Sequence, residues 1–421
     1  MVRILALGGP GAMGAVAVRV AAGLPNVTEI VIADKRLEAA QGLVHRLAGA
    51  GGAPMRALQV DVTDDTALRT ALTDTDVVLN TVGPYYRFGL TVLRAAITTG
   101  THYLDICGDW APTLKMLDLD EEARAAGVCA VVGMGASPGV SNLLAVRAVQ
   151  HLDHVQGLYT AWPVDVSGTD GQDDEQILGL DGQPSAAAMH WMEQISGRVA
   201  VVSNGQLVHR RPLLPVTLTS SSQHSGTAYT VGHPEPVTLH RSYRPTGEAA
   251  NLMVITPGTL AYLDVLRRDI DSGKLTNETA ATDLAKPAVS RVLRATTSAI
   301  SLKGPRTLPP CFATATGDGS PVTVLARLAE TSGMSALIND MAEATGIPLA
   351  LGLAQLLDGT SRRPGVHPPE TVIEPERFFL DLARHVPHLS NNHASHDSVI
   401  TDITGTGGSR DRAARTRAGC W

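Results

Sequence analysis

Val2-Arg-Ile-Leu-Ala-Leu-Gly-Gly-Pro-Gly-Ala-Met-Gly14, followed by Val31-Ile-Ala-Asp34-Lys-Arg36, decides how the first third of this chain folds. A branched apolar run opens onto a glycine cluster, and an Ala/Val-rich segment of helical character follows. Gly9, Gly11 and Gly14 have the spacing G-x-G-x-x-G, and Asp34 lies twenty residues beyond the last of them, at the end of a second apolar run. Strand, glycines, helix, strand and acidic end make the dinucleotide-binding fingerprint. The first glycine makes a tight turn, the second lets backbone N–H groups approach a pyrophosphate, and the third lets the helix pack close to the strand. The positive end of the helix dipole then faces the phosphates. Gly9, Gly11, Ala12, Met13 and Gly14 are therefore the expected cradle.

A carboxylate at Asp34 suits the ribose hydroxyls of NAD and repels a 2′-phosphate. Lys35 and Arg36 follow at once. They either neutralise such a phosphate or lie solvated at a helix start, so the cofactor is NAD or NADP, with NAD slightly favoured by Asp34.

At 421 residues the chain has room for two or three domains. A formal net charge of −7 disfavours nucleic acid as a partner. The four cysteines, Cys107, Cys129, Cys311 and Cys420, show no zinc spacing, so no metal is expected and a reducing compartment is the simpler reading. No apolar run reaches the roughly 18 residues of a membrane span. The glycine cluster falls where a signal peptide needs its apolar stretch. A cytoplasmic protein with a small-molecule substrate and no membrane partner is expected.

Up to residue 138 the chain alternates strand-like and helix-like segments, which predicts a doubly wound parallel sheet. Met55–Val60, Val77–Asn80, His102–Ile106 and Val128–Val132 complete six strands. Asp61 and Val62, after the third, sit where this architecture contacts adenine; a loop-turn aspartate is the alternative. Ligands lie at the carboxyl ends of such strands. The loops that matter are thus the glycine turn, 83–88, 107–110 and 133–141.

Residues 139–345 are read as an inserted α+β domain with a largely antiparallel sheet. Asn204-Gly205 and Gly317-Asp-Gly-Ser320 are hairpin signals. Further strands are expected at Pro215–Leu218, Thr227–Val231, Val237–His240, Asn251–Ile255, Phe312–Thr316 and Pro321–Arg327. Helices are expected at Pro184–Ser196 and Gly258–Asp271. The acidic stretch 165–175 has no regular ligand spacing and reads as a solvated loop. Two helical stretches, 333–345 and 348–358, are expected on either side of Gly346-Ile-Pro. Residues 346–388 are read as a C-terminal segment and 389–421 as a disordered tail.

Gly8–Gly14, Asn80-Thr-Val-Gly-Pro-Tyr85, His102-Tyr-Leu-Asp105, Gly133-Met-Gly-Ala-Ser-Pro-Gly139, His233-Pro-Glu235 and Gly365-Val-His-Pro-Pro-Glu370 together resemble the saccharopine dehydrogenase-like oxidoreductases. The resemblance implies a Rossmann-type nicotinamide-binding domain, an inserted α+β domain and a C-terminal segment returning to the first. It implies hydride transfer at a carbon bound to nitrogen and a homodimer built through the inserted domain. Trp162-Pro163 and His190-Trp191 lie in a diverged middle domain, so the resemblance does not carry substrate identity.

Reduction of an imine needs a shaped pocket, a proton donor and groups that hold the substrate's charges. Gly83-Pro84 and Pro138-Gly139 are expected to bracket the nicotinamide. Tyr85 is the first catalytic candidate, with a packing tyrosine as its alternative. Asp105, the second, either relays a proton or caps a loop. Tyr86, Asp109, Ser141, Asn142, His190 and Arg241 are candidate substrate contacts, with Arg241 and Arg244 as a carboxylate clamp or as surface residues. His233, before Pro-Glu, stands near the same segments. An amine or imine carbon of an amino-acid-like or polyamine-like substrate is the leading expectation. Reduction of a C=C or C=O bond and non-catalytic dinucleotide binding are the alternatives. None of the seven tyrosines has Lys four residues on, which removes the short-chain dehydrogenase reading.

Overall fold

The computed structural model describes residues 2–49, 51–164, 184, 186–220, 223–318, 322–386 and 398–405. The acidic stretch 165–175 and the turn residues 319–321 lie outside them.

Strands β1 (Val2–Leu7), β2 (Val27–Asp34), β3 (Met55–Gln59), β4 (Val77–Asn80), β5 (His102–Asp105) and β6 (Cys129–Val131) form the expected parallel sheet. Helices α1 (Ala12–Ala21), α2 (Leu37–Leu47), α3 (Asp65–Thr73), α4 (Tyr85–Thr99), α5 (Trp110–Leu117) and α6 (Asp120–Ala125) fall between them. The strands are near-continuous apolar runs because helices cover both faces. Ile4, Leu5, Ile30 and Ile32 are wholly buried. Asp64 starts α3 by accepting from the N–H groups of Thr66 and Ala67, both at 3.0 Å.

Helix α7 (Val140–Val149) leads into the second domain. There β7 (Val155–Pro163), α8 (Ala186–Gln194), β8 (Val199–Ser203), β9 (Gln206–Arg210), β10 (Pro215–Thr219), β11 (Ser225–Val231), α9 (Glu235–Tyr243) and β12 (Ala249–Val254) follow. Helices α10 (Pro257–Asp271), α11 (Asn277–Ala285) and α12 (Val289–Ala299), then β13 (Phe312–Gly317), β14 (Thr323–Leu328) and α13 (Ser332–Asn339), complete it. The sheet runs β10-β11-β12-β7-β13-β14 with the β8–β9 hairpin attached to β12. Only β12–β7 is parallel among these pairs, so the largely antiparallel expectation holds. Asn204 and Gly205 take φ of 50° and 69° at the β8–β9 turn, the left-handed pair a type I′ hairpin requires.

The chain then returns. Helix α14 (Met341–Leu357) lies against α1, and β15 (Gly365–His367) pairs with β6 as a seventh parallel strand. Helices α15 (Pro369–Val372) and α16 (Pro375–Arg384) follow, and β16 (Val399–Thr404) pairs antiparallel with β14 at the edge of the second sheet.

Three expectations are corrected. Val237–His240 lies in helix α9, because Pro236 in its first turn favours a helix start and Val237 and Leu239 are buried in that form. Gly346 and Pro348 do not split α14: a Cβ on Gly346 would stand 2.5 Å from the Met13 carbonyl oxygen, and this packing against α1 overrides weak helix propensity. Residues 399–404 form a strand rather than part of a disordered tail, with Val399 buried.

Polar contacts tie the three parts together. Asn142 on α7 donates to Glu370 at 2.8 Å, and Ser242 on α9 donates to its other oxygen at 3.0 Å. Burial pushes the Glu370 carboxyl from 4.5 up to about 7. Such a group binds its proton more tightly when folded, so its contribution to stability is complete below 4.5 and is lost as pH rises through about 7. Wild-type protein should therefore lose on the order of 2–3 kcal/mol between about pH 5 and about pH 8 from this group. Glu370→Gln should flatten that part of the profile in thermal unfolding; an unchanged slope refutes it.

Candidate active site

The chain turns at Gly8, with φ of +72°, whose N–H donates to the Ala33 carbonyl at 2.9 Å. Gly11 then donates back to Gly8 at 3.0 Å and caps α1 without a side-chain bond. Among the described residues the N–H groups of Ala12, Met13 and Gly14 find no protein acceptor. They form the open end of a ten-residue helix, which is the arrangement that receives a pyrophosphate. A Cβ on Gly14 would lie 2.7 Å from both the Gly8 oxygen and Thr81 Oγ1, whereas one on Gly11 would meet only the Gly8 oxygen at 3.3 Å. Gly14 thus serves the packing, and Gly11 leaves space on the ligand side.

Asp34 ends β2. Its carboxylate accepts the Arg36 N–H at 2.9 Å, and the exposed Arg36 guanidinium stands 3.7 Å away. Lys35 is adjacent and exposed. Asp61 is exposed and accepts from the Thr63 N–H and hydroxyl at 2.9 and 2.7 Å, which holds its carboxyl below the ordinary range. It takes the loop-turn form, and Val62 beside it is buried.

A cavity of about 300 Å³ lies beyond the cradle, between the loops of the first sheet and the second domain. Met13, Thr81, Gly83, Pro84, Ser137 and Pro138 line it from the first domain. Trp162, His190, Trp191, Met253 and Leu263 line it from the second. Ile338, Met341, Ala344 and Thr345 close it from α13 and α14. Among the described residues the wall includes no Lys, Arg, Asp or Glu.

Several expected groups do not turn a polar atom into this cavity. The Tyr85 ring lines it, but its hydroxyl donates to the Asn80 carbonyl at 2.7 Å, and burial lifts the phenol well above its ordinary value. Asp105 is wholly buried and accepts from the Tyr103 hydroxyl at 2.7 Å, the Cys107 N–H at 3.0 Å and the Gly133 N–H at 2.7 Å. Burial pushes its carboxyl to about 6, and its role is to lock two loops together. Tyr86 is 51% exposed and Arg241 is exposed on α9; neither lines the cavity. Ser141 and Asn142 are buried and spent on Glu235 and Glu370. Gly139, with φ of +122°, is packed on Gly135 and supports the Pro138 loop from behind.

What the cavity does receive is two histidines, each backed by a carboxylate. His190 Nδ1 lies 2.7 Å from Asp109 Oδ1. Burial raises the Asp109 carboxyl, but the hydrogen bond and charge of His190 outweigh it and hold the group below its ordinary value. An ionised Asp109 assigns the ring proton to Nδ1 and leaves Nε2 as the working nitrogen, which contacts the Gln194 amide. Gly108 makes room for the ring: a Cβ there would stand 2.7 Å from His190 Nε2. His233 faces it, with ring centroids 6.0 Å apart. Its Nδ1 lies 3.3 Å from Ser137 Oγ and 3.5 Å from Glu235 Oε2. Glu235 is completely buried, yet its carboxyl is held low, burial being outweighed by His233, Ser137 and Ser141. Asn251 also donates to it at 2.7 Å. Glu235 was legible only as part of His233-Pro-Glu235, because its other partners, Ser137, Ser141 and Asn251, lie elsewhere in the chain.

Residues 4–131 match the family of saccharopine dehydrogenase NADP-binding domains. Saccharopine dehydrogenase [NADP(+), L-glutamate-forming] of Schizosaccharomyces pombe is 27% identical over 128 residues, 30% of this chain and 26% of that protein. The trans-acting enoyl reductase of Mycobacterium leprae is 31% identical over 101 residues, 24% of each chain. The match thus spans about a quarter of the length of these relatives. The solved saccharopine dehydrogenase (L-Glu forming) of Saccharomyces cerevisiae aligns with a TM-score of 0.58 at 15% identity, covering 96% of this chain and 100% of that one. The first domain is a dinucleotide-binding domain of the NADP-binding type. It is similar to the saccharopine dehydrogenase NADP-binding domains over residues 4–131, and the whole chain shares the fold of the solved yeast enzyme.

The two glycines separate folding from binding. Gly14→Ala should lower the melting temperature, because the methyl meets protein atoms. Gly11→Ala should leave melting within a few degrees and weaken NADPH at least about tenfold in a fluorescence titration, since its methyl enters the pyrophosphate space. Equal affinity for Gly11→Ala and wild type would remove the cradle.

Proposed function

We propose that this chain is an NADP-dependent oxidoreductase that reduces a polarised double bond in a largely apolar substrate. The observation that carries this reading is the cavity beside the open end of α1, whose wall among the described residues includes no Lys, Arg, Asp or Glu. The residues fit the dinucleotide: unpaired N–H groups meet its phosphates, and Gly83-Pro84 and Pro138 offer flat, bare surface beside the nicotinamide site. Arg36, held only loosely on Asp34, is placed to take a 2′-phosphate, which favours NADP over the NAD preference Asp34 alone suggests. The bound cofactor supplies the hydride.

The chain's own groups supply the rest. Trp162, Trp191 and Met253 exclude water and hold apolar substrate by area. In its doubly protonated form His190 delivers the Nε2 proton to the atom that gains charge as the hydride arrives. It is left neutral with its remaining proton on Nδ1 and regains a proton from solvent, while Asp109 fixes the ring and stabilises the charged form. His233, held by Ser137 and Glu235, donates to the same end of the substrate.

A substrate carrying free carboxylates or ammonium groups, as in the amino-acid-like or polyamine-like expectation, would leave them unpaired against this wall at several kcal/mol each. An α,β-unsaturated or carbonyl compound meets no such penalty, and an enoyl reductase stands among the relatives. The C=C or C=O alternative is therefore preferred to an amine or imine carbon.

NADPH oxidation with unsaturated thioesters, hydrophobic ketones and amine–aldehyde pairs tests the choice. Turnover confined to charged amino-acid pairs overturns it, and saturable NADPH binding without turnover leaves a binding protein. His190→Ala should lower kcat about a hundredfold or more with NADPH affinity unchanged, and Asp109→Asn by about tenfold or more. Tyr85→Phe should stay within about threefold, since its hydroxyl serves the Asn80 carbonyl. Arg36→Ala should weaken NADPH about tenfold and leave NADH unaltered.

A further inference from the structure

Helix α12 carries an apolar stripe that the fold leaves uncovered among the described residues. Val289, Val292 and Leu293, with Ile300 just past the helix end, are 75%, 42%, 64% and 89% exposed. Their spacing puts them on one face of a helical surface. Ala295 turns inward onto Ala261 and Val265 of α10, with Ala299 partly buried against the same cluster. Four large side chains standing in water along one helix are an interaction surface rather than scattered exposure.

The charge around the stripe is one-sided. From residue 284 to 317 the sequence has no Asp or Glu, yet it carries Lys286, Arg291, Arg294, Lys303 and Arg306, in a chain of net charge −7. Arg291 and Arg294 are anchored on Asp269, each at 2.9 Å. Lys286, Lys303 and Arg306 are exposed and make no ion pair among the described residues. They bracket the stripe at both ends. A helix with a strongly apolar exposed face, flanked at both ends by unpaired cations, suits a lipid interface, with the apolar side at the acyl boundary and the cations at the headgroups.

We propose that α12 and the run to Arg306 dock this protein on an anionic lipid surface. A second copy fits less well: a two-fold contact through this face would bring the same unpaired cations onto their own images. Docking is peripheral, and it agrees with the finding that no described helix is long and apolar enough to cross a membrane. It revises the expectation that a membrane plays no part. Helix α10, directly beneath α12, contributes Leu263 to the cavity wall, so the docked face lies one helix layer from the apolar cavity. The docking itself does not depend on which bond the enzyme reduces.

Vesicle co-sedimentation of the full chain tests the proposal without any substrate. Wild type should sediment with vesicles of phosphatidylcholine and phosphatidylglycerol, much less with phosphatidylcholine alone, and should be released by salt. Leu293→Asp with Ile300→Asp, and separately Lys286→Glu with Lys303→Glu and Arg306→Glu, should each cut the bound fraction at least about fivefold. Melting temperature and NADPH affinity should not change, because all five side chains are exposed. No sedimentation with either vesicle overturns the proposal, as does binding that both variants retain. A wild-type dimer converted to monomer by Leu293→Asp with Ile300→Asp, without vesicle binding, assigns the face to a second copy instead.

Discussion

Nothing larger than a hydrogen fits between helix α1 and the carbonyl of Gly8. That close approach at Gly14, against Gly8 and Thr81 together, sets the depth at which α1 sits on the sheet. It aims the helix's unpaired N–H groups at the cleft and brings Met13 to the cavity. The opposite side of α1 is met by α14 at Gly346, where again no Cβ fits. Because α14 carries Met341, Ala344 and Thr345 into the same cavity, two missing methyl groups set the relation between the cradle and its far wall. Close-packed interiors transmit such constraints, since a helix displaced at one contact must lose density at the next.

The first domain was legible because its signals are local. Six strands and the glycine turn follow from periodicity and spacing, whereas the seventh strand, β15, went unread within the C-terminal segment that the resemblance returns to this domain. The second domain was partly legible: the Asn204-Gly205 turn announces its hairpin, but Val237–Leu239, branched and apolar, look like a strand until Pro236 starts a helix beneath them. Helices α11 and α12 went unread. In α12 the apolar face points outward, so the pattern has no buried counterpart to explain it. Strand β16 lies in a polar segment, and its pairing partner β14 is some seventy residues earlier.

The candidate site shows where reading by position stops. Asp105 and Tyr85 stand at strand ends, which is where ligands bind, and so were expected to face one. Position on a strand does not say which way a polar atom is spent. The Asp105 carboxylate is consumed by Tyr103, Cys107 and Gly133, the last of these 28 residues away. The Tyr85 hydroxyl is consumed by Asn80. Asp109 and His190, 81 residues apart, become a pair only when α8 crosses the loop after β5. Gly108 was the one local hint, since a glycine beside an aspartate leaves space for another side chain to come in.

The arrangement of charge follows from what the cavity excludes. A lone carboxylate in an apolar cavity would take up a proton and lose its use as a fixed charge. Here both carboxylates sit behind the wall, each held ionised by a histidine and by hydrogen bonds, and only the rings reach the interior. The cavity thus keeps an apolar lining while gaining two nitrogen atoms whose protons can be given or taken. Guanidinium or ammonium groups at the same places would bind anionic substrates but would not exchange protons near neutral pH, and they would exclude apolar ones. A histidine backed by a buried carboxylate is the solution that lets hydrophobic binding and proton transfer occupy the same small volume, and the chain builds it twice, on Asp109 and on Glu235, with the two rings 6.0 Å apart.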